Sequence, residues 1–385
     1  MFLLTCGTDE ASMNFTPGET DPTTPARTGR LSFATGEVET PVFMPVATRA
    51  TVKGLTAPQL RRCGAQMALA NTYHLILHPG SERVAELGGL HEFMAWDSPI
   101  LTDSGGYQVF SLSDLNEITD EGVTFRSPRD GSMVFLGPEE AVKAQQNLGS
   151  DIAMAFDHCP PYPCSRQEAL AAVERTLRWA EMCKDAHTGQ GQSLFGIVQG
   201  GTHRDLRERC AEELRKMNFD GYAVGGVSVG EGTELRHRMT EFTAGLLPVD
   251  RPRYLMGVGF PEDILQAIGT GIDMFDCVAP TRMGRNGTAF TEKGRLRLKK
   301  STYRNDPKPV EYGCSCPCCR LYCRGYVSHL FRCDEMLGPV LLSLHNLTFY
   351  HRMMAQAREA IREGRFRQFR DEFVSRYREK EDVPC

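Results

Sequence analysis

From about residue 26 to residue 280 the chain alternates short apolar runs with longer stretches whose apolar positions recur at helical spacing. The runs are PVFMPVAT (41–48), AQMALANTYHL (65–75), PILTDSGGYQVF (99–110), DIAMAFDHC (151–159), LFGIVQGG (194–201), GYAVGGVSVGE (221–231), RYLMGVG (253–259) and IDMFDCV (272–278). Between several of them lie amphipathic stretches such as SRQEALAAVERTLRWAEMCKDA (165–186) and HRDLRERCAEELRKM (203–217). Near-continuous apolar strands alternating with helices predict a parallel sheet covered by helices, because such strands are buried on both faces. Eight strands predict an irregular (β/α)8 barrel of the α/β class, with catalytic groups at the C-terminal strand ends. An open doubly wound sheet is the alternative, but no G-x-G-x-x-G turn opens a first βα unit. Residues 112–140 predict an inserted hairpin or two. The first 25 residues, polar and rich in Thr, Pro and Gly, predict a loose arm.

At 385 residues, one large domain with an appendage or two domains are expected. Hydrophobic residues at 41% and charged residues at 24% are ordinary for a soluble globular enzyme. No apolar run is long enough to span a bilayer, and MFLLTCGTDE lacks the basic n-region of a signal peptide. The expected location is the cytoplasm. The net charge of −5 argues against indiscriminate nucleic-acid binding. A local patch cuts the other way: residues 282–304 hold eight Lys or Arg and a single acid, Glu292.

Five of the fourteen cysteines crowd into residues 314–323, which points to a metal rather than to disulfides. Closely spaced thiolates can supply three corners of a zinc tetrahedron. The reading C-x-C-x-x-C takes Cys314, Cys316 and Cys319 and leaves Cys318 and Cys323 as spectators. His345, on a following helix, is the best fourth ligand, with Cys333 and His329 as rivals. Four protein ligands leave no open position, so a structural Zn2+ is expected. The expected organisation is an arm (1–25), a catalytic barrel (26–300), a zinc-binding subdomain (301–350) and C-terminal helices closing the barrel (351–385).

The strand candidates end in small or polar residues: Asn71, Asp103, Asp157, Gln199, Gly225-Gly226, Gly257 and Asp276. Asp103 precedes a glycine turn whose amides can approach a ligand, and Tyr107 offers an aromatic face. Gln199, Gly226 and Glu231 add amide, backbone and carboxylate groups suited to a purine edge. In GIDMFDCVAPTRMGRN, Asp276 stands at the end of a buried strand and Arg282 and Arg285 follow in a glycine-rich turn. Asp273 faces the other side of that strand and is expected to be structural or solvent-facing. Two aspartates at strand ends can divide the labour of nucleophile and general acid/base, as in cleavage of a glycosidic bond through a sugar–enzyme ester. Arginines beside the nucleophile would hold phosphates. The residues alone suggest glycosyl chemistry on a nucleic acid.

The runs NTYHL, ILTDSGGYQVFSL, GSDIAMAFD, FDGYAVGGVSVGEG, YLMGVG, GIDMFDCVAPTRMGRNG and CSC…C…HN resemble the queuine/tRNA-guanine transglycosylases of the bacterial type, in unbroken order from about residue 27 to about 375. The resemblance implies an irregular barrel with a zinc-binding insertion, one zinc per subunit, usually in a homodimer. It implies Asp276 as the nucleophile at C1′ of the wobble guanosine in G-U-N tRNAs, and Asp103 as general acid/base. Asp157, Gln199 and the Gly226 backbone would hold the purine edge, with Tyr107 and Met256 sandwiching the ring. Arg282 and Arg285 would contact RNA. Cys314, Cys316, Cys319 and His345 match the family's metal positions, and Tyr322, Tyr326 and His329 fall at its dimer contact. Relatives that insert queuine have glycine where this chain has Val229, which implies 7-aminomethyl-7-deazaguanine as the incoming base. Two departures stand out: His158 where a glutamate is usual, and Phe260 where a lysine is common.

Two other functions compete. A catalytically silent tRNA-binding accessory subunit would have lost the nucleophile or the arginine-flanked motif, and both are present. A zinc-dependent barrel hydrolase needs open-site ligands at strand ends, which here are poor in histidine.

Overall fold

The computed structural model describes residues 13–112, 116–189 and 191–378. Eight parallel strands close a barrel in chain order. They are Val42–Ala47, Ala68–Ala70, Ile100–Thr102, Ile152–Met154, Ser193–Val198, Gly221–Val224, Arg253–Leu255 and Met274–Cys277. The eighth pairs back onto the first, Met274 beside Val42 through Cys277 beside Pro45. Along the first strand Val42, Met44 and Val46 fill the barrel, while Phe43 and Ala47 pack into the surrounding helical layer. Side chains alternate along a strand, so both layers draw on one uninterrupted apolar run.

Each apolar run contains its strand, save that the fifth strand begins one residue earlier at Ser193, and several runs overrun theirs. Residues 65–75 hold a strand only at Ala68–Ala70, and a helix, Thr72–Leu77, begins directly after Asn71. Residues 99–110 likewise pass from Ile100–Thr102 into the helix Gly106–Leu112. The second helix starts where the strand has left the barrel rim, and its buried face is as apolar as a strand.

One expectation changes. Residues 14–20, read from the sequence as part of a loose arm, form a strand paired with Arg27–Phe33, which in turn pairs with Gly36–Thr40. The turn that follows is fixed when Asp21 accepts the Phe366 N–H from the C-terminal helix Phe366–Arg378. Residues 1–12 of the expected arm lie outside the described residues. The insertion is two hairpins that share a strand, as expected: Asn116–Ile118, Val123–Arg126 and Met133–Leu136 form one three-stranded antiparallel sheet.

After the eighth strand come the helix Ala279–Arg285, the hairpin Thr288–Thr291/Gly294–Arg297 and the short helices Pro317–Leu321 and Arg324–Arg332. The 26-residue helix Leu337–Arg362 joins them to the barrel. Its Tyr350 packs on Phe43, with ring centroids 4.8 Å apart, and its hydroxyl donates to the Gly259 carbonyl. No helix among the described residues is long and apolar enough to cross a membrane.

Candidate active site and metal centre

The third, fourth and eighth strands each deliver a carboxylate to the C-terminal mouth of the barrel. Asp103 is almost fully buried, and its oxygens are loaded with donors. The Thr72 N–H donates at 2.9 Å to Oδ1, while the Gln108 amide, at 2.7 Å, and the Asn71 amide donate to Oδ2. Burial nevertheless wins over these hydrogen bonds and pushes its carboxyl up to about 6, with the Asp276 charge adding to the rise. A carboxyl with that pKa can hold or release a proton near neutral pH.

Asp276 differs. Its Oδ1 accepts from the Tyr254 hydroxyl at 2.6 Å and from the Gly257 N–H at 2.8 Å. Among the described residues Oδ2 accepts none, so one oxygen is held and the other is open. Burial raises its carboxyl, and the two hydrogen bonds favour the ionised form. Gly257 has φ +71°, a left-handed turn that brings its N–H round to the carboxylate. Close approach of the seventh and eighth strands also requires Gly259, where a Cβ would come within 2.1 Å of the Cys277 Cβ.

Asp157 accepts from Gln199 Nε2 at 2.7 Å and from the Ser104 hydroxyl at 3.1 Å, and burial pushes it up to about 6. The Gln199 amide oxygen is buried without a partner. It lies beside Gly226, where an added Cβ would meet it at 2.4 Å. Gln199 and Gly226 are therefore in contact, as a shared recognition edge requires. Glu231 folds back on its own loop, accepting the Ser228 N–H and, at 2.9 Å, the Val229 N–H. Val229 and Met256 are half-buried, and Tyr107 is 48% exposed at the rim on the helix Gly106–Leu112. Clefts of about 460 and 690 Å³ open elsewhere on the protein, and neither is lined by these carboxylates.

A raised carboxyl costs stability with a definite pH dependence. The folded pKa of Asp157, about 6, exceeds the ordinary 3.8, so the favourable neutral form is fully present below about 4 and is lost as pH rises through about 6. Asp157→Asn is expected to raise stability at pH 7 by up to about 3 kcal/mol, with the gain vanishing near pH 4. Gln199 can turn its amide to accept from the new asparagine. Chemical denaturation at both pH values measures this, and a variant less stable at pH 7 than at pH 4 relative to the parent would contradict it.

Arg282 and Arg285 lie not in a turn but on the helix Ala279–Arg285, which opens with Pro280 in its first turn. Arg282 is exposed and Arg285 half-buried, and no ion pair holds either among the described residues. The helix follows the eighth strand after one residue, so its cations stand next to Asp276 along the chain. Asp273 is not solvent-facing: fully buried, it pairs with Arg27 at 2.7 Å and accepts the Arg253 N–H.

Cys314, Cys316, Cys319 and His345 offer ligand atoms that all lie within 4.8 Å of one another. His345 Nδ1 stands 3.7, 3.6 and 3.3 Å from the three sulfurs. Tetrahedral bonds of about 2.3 Å to sulfur and 2.0–2.1 Å to nitrogen put such edges near 3.6 Å, so the cluster fits a metal ion of that kind. His345 Nε2 is fixed at 2.8 Å from the Phe290 carbonyl. The rivals His329 and Cys333 sit 3.7 Å apart on the exposed end of another helix, and Cys323 instead caps the helix Arg324–Arg332 through the Tyr326 N–H. Next to the metal ligand, Asn346 donates to the Pro280 and Thr288 carbonyls and accepts the Phe290 N–H. The cluster, the basic hairpin and the arginine helix are thus tied at one point.

Several groups around the carboxylates escaped the sequence reading: Tyr254, Gln108, Ser104 and the buried Arg207. Tyr254 had a usable signal, since it stands two residues before Met256, just past the strand end, and both face the barrel interior. His158 turns away from the pocket. It stacks on Phe110, takes a 3.0 Å contact from Arg175, and burial depresses it to about 4, so it stays neutral. Phe260 lies under the Arg295 guanidinium, 5.6 Å from its ring centre.

A family model described as Queuine tRNA-ribosyltransferase matches residues 21–379. A Queuine tRNA-ribosyltransferase of Pelotomaculum thermopropionicum is 54% identical over 366 residues, covering 95% of this chain and 99% of that protein. Proteins of the same name from Desulforamulus reducens and Stenotrophomonas maltophilia are 52% and 53% identical, covering 91% of this chain and 95% and 94% of theirs.

Proposed function

This chain belongs to the queuine tRNA-ribosyltransferase family, and from that premise we propose how its barrel mouth exchanges a base in RNA. The protein is a tRNA-guanine transglycosylase, a pentosyltransferase of queuosine synthesis. The observation that carries the mechanism is the contrast between two neighbouring carboxylates. Asp276 keeps an open oxygen, and Asp103 is buried to a pKa of about 6.

Asp276 Oδ2 attacks C1′ of the wobble guanosine, the glycosidic bond breaks, and Asp103 delivers a proton to the departing guanine. A ribosyl ester of Asp276 results. The incoming base then loses its N9 proton to Asp103, its nitrogen attacks C1′, and the Asp276 carboxylate is released. Asp103 returns to its protonated state, so the cycle closes without another acid or base. Tyr254 and Gly257 hold Oδ1 throughout and take up the charge that Asp276 regains. Asp157, Gln199 and Gly226 hold the purine edge, Glu231 shapes the adjoining loop, and Tyr107 and Met256 cover the ring faces. Arg282 and Arg285 bind backbone phosphates of G-U-N tRNAs and bring one sugar up to Asp276. Exchange of radiolabelled guanine out of such a tRNA, driven by 7-aminomethyl-7-deazaguanine, tests the scheme; no exchange by the intact, metal-loaded protein would refute it.

Val229 narrows the space beside the base that a cyclopentenediol would need, so 7-aminomethyl-7-deazaguanine is the base inserted. Val229→Gly is expected to raise kcat/KM for queuine by roughly tenfold or more. Equal use of queuine and its aminomethyl precursor by the unaltered protein would overturn this. Zn2+ held by Cys314, Cys316, Cys319 and His345 would be structural, bracing the RNA-contacting helix and hairpin. Tyr322 and Tyr326 stack with centroids 5.0 Å apart beside the exposed Leu321, and this patch supports a homodimer. A tRNA substrate and the lack of a membrane-spanning helix among the described residues support a cytoplasmic location.

A further inference from the structure

Arg207 projects from the helix Arg204–Lys216 into the protein and is completely buried. Among the described residues it forms no ion pair: its guanidinium spends its donors on carbonyls and a hydroxyl. Nε donates to the Gly201 carbonyl at 2.7 Å, Nη2 to the Gly225 and Gly226 carbonyls at 3.0 and 3.2 Å, and Nη1 to the Thr243 hydroxyl at 3.4 Å. Glu231 attracts it without forming a salt bridge, so the buried charge remains a cost that packing alone does not explain: an apolar side chain of similar volume is often neutral or stabilising there.

The carbonyls it binds belong to two turns that flank the base pocket. Gly200 and Gly201, at φ +139° and +55°, follow Gln199 directly, and Gly226 is at φ +61°. Such turns have no side chains to lock them, and glycine is the residue that surrenders most freedom when it is fixed. The packing is close: a Cβ on Gly200 would come within 2.7 Å of the Arg207 backbone nitrogen, and one on Gly226 within 3.7 Å of Nη2. One planar fork thus spans the ends of the fifth and sixth strands, and neither turn is held in this way by any other buried cation among the described residues. A lysine could not reproduce it, because an ammonium is a point donor without the fork.

We propose that Arg207 is a positioning residue for base recognition: by clamping the Gly201 and Gly225-Gly226 turns it sets Gln199 and the Gly226 backbone at the spacing a purine edge requires. The inference rests on the reading of Gln199 and Gly226 as the base-holding edge. It acts on binding of the base rather than on the Asp276 step, which belongs to the eighth strand, two strands further round the barrel from the sixth.

The test uses full-length, metal-loaded Arg207→Met and Arg207→Lys, with Gln199→Ala as a control, in steady-state exchange at saturating tRNA. Folding is checked by thermal melting. Arg207→Met is expected to raise KM for 7-aminomethyl-7-deazaguanine by about tenfold or more, the scale of one or two lost hydrogen bonds, with kcat changed by less than about threefold. Arg207→Lys should fall between it and the parent, a graded rescue that a purely structural role would not produce. An unchanged KM in either folded variant, or a loss confined to kcat, overturns the proposal. Should Arg207→Met fail to fold, Arg207→Lys decides alone. The control separates the two layers: if Gln199→Ala also leaves KM unchanged, the pocket reading itself has failed, whereas a raised KM there with normal Arg207 variants removes only the role of Arg207.

Discussion

Replacing Asp276 by alanine is expected to abolish base exchange and, with it, the covalent RNA–protein adduct seen on a denaturing gel. The loss should be roughly 10⁴-fold or more, the scale on which removal of a covalent nucleophile is felt. The reason lies in the two oxygens of this one side chain. Tyr254 and Gly257 anchor Oδ1, so Oδ2 is presented in a fixed direction. The nearby carboxylate is not free to substitute for it: Asp103 is sequestered by Asn71, Thr72 and Gln108. Asp276→Asn retains the shape and the anchoring hydrogen bonds but replaces the anion with a poor nucleophile, so traces of activity with slow adduct formation are expected. Tyr254→Phe should be milder, removing one donor while leaving the Gly257 N–H. Persistence of the adduct in Asp276→Ala would show that another residue attacks C1′.

The second large effect is expected from the metal cluster. Cys314→Ser should lose its metal and lower the melting temperature by roughly 10 °C or more, because metal-binding free energy at a structural site is folding free energy. Without the ion, two thiols, the new hydroxyl and an imidazole are left crowded together at the base of the basic hairpin. The damage should also reach the RNA site. His345 and Asn346 hold the Phe290, Thr288 and Pro280 backbone, and Pro280 opens the helix that carries Arg282 and Arg285. Affinity for tRNA is therefore expected to fall further than affinity for the free base. Cys323→Ser, outside the cluster, should retain one metal per chain. Elemental analysis with thermal scanning decides the matter, and a Cys314→Ser protein with full metal content and an unchanged melting temperature would refute the ligand set.

Asp157 and Asp103 show why such a pocket is costly to keep. Both carboxyls are buried to pKa values near 6, which makes the ionised pocket less stable than a neutral one at pH 7. For Asp103 that instability is the counterpart of its proposed use: a carboxyl at its ordinary pKa would be a weaker proton acceptor for the incoming base.

Much of this was written in the chain as periodicity and residue type. Eight apolar runs fixed the number and order of the barrel strands, because a strand buried on both faces shows no polar positions. The cysteine spacing marked three ligands, since only short loops bring thiolates that close. The arginine-rich segment was visible as charge. Strand ends were less legible: in 65–75 and 99–110 a buried helix continues the apolar run, and composition does not separate the two. The strand at 14–20 was missed because Phe15 is its one large apolar residue; it is held mainly by pairing to a neighbour, with Phe15 packed against the barrel core.

What the sequence by itself determined, then, was the inventory: a barrel, a metal cluster, and aspartates at strand ends beside arginines. What only the tertiary structure decided was how each acid differs from the next. Asp273 and Asp276 are three residues apart and chemically identical, yet one is locked to Arg27 and the other keeps an oxygen open to the barrel mouth. That difference comes from partners distant in the chain, 246 residues away for Arg27 and 22 for Tyr254. The same holds for Arg207, an unremarkable helical arginine until the fold buries it behind two glycine turns. Local pattern encodes which face is apolar; burial and hydrogen bonding between distant segments set the charge, direction and reactivity of the groups that the pattern supplies.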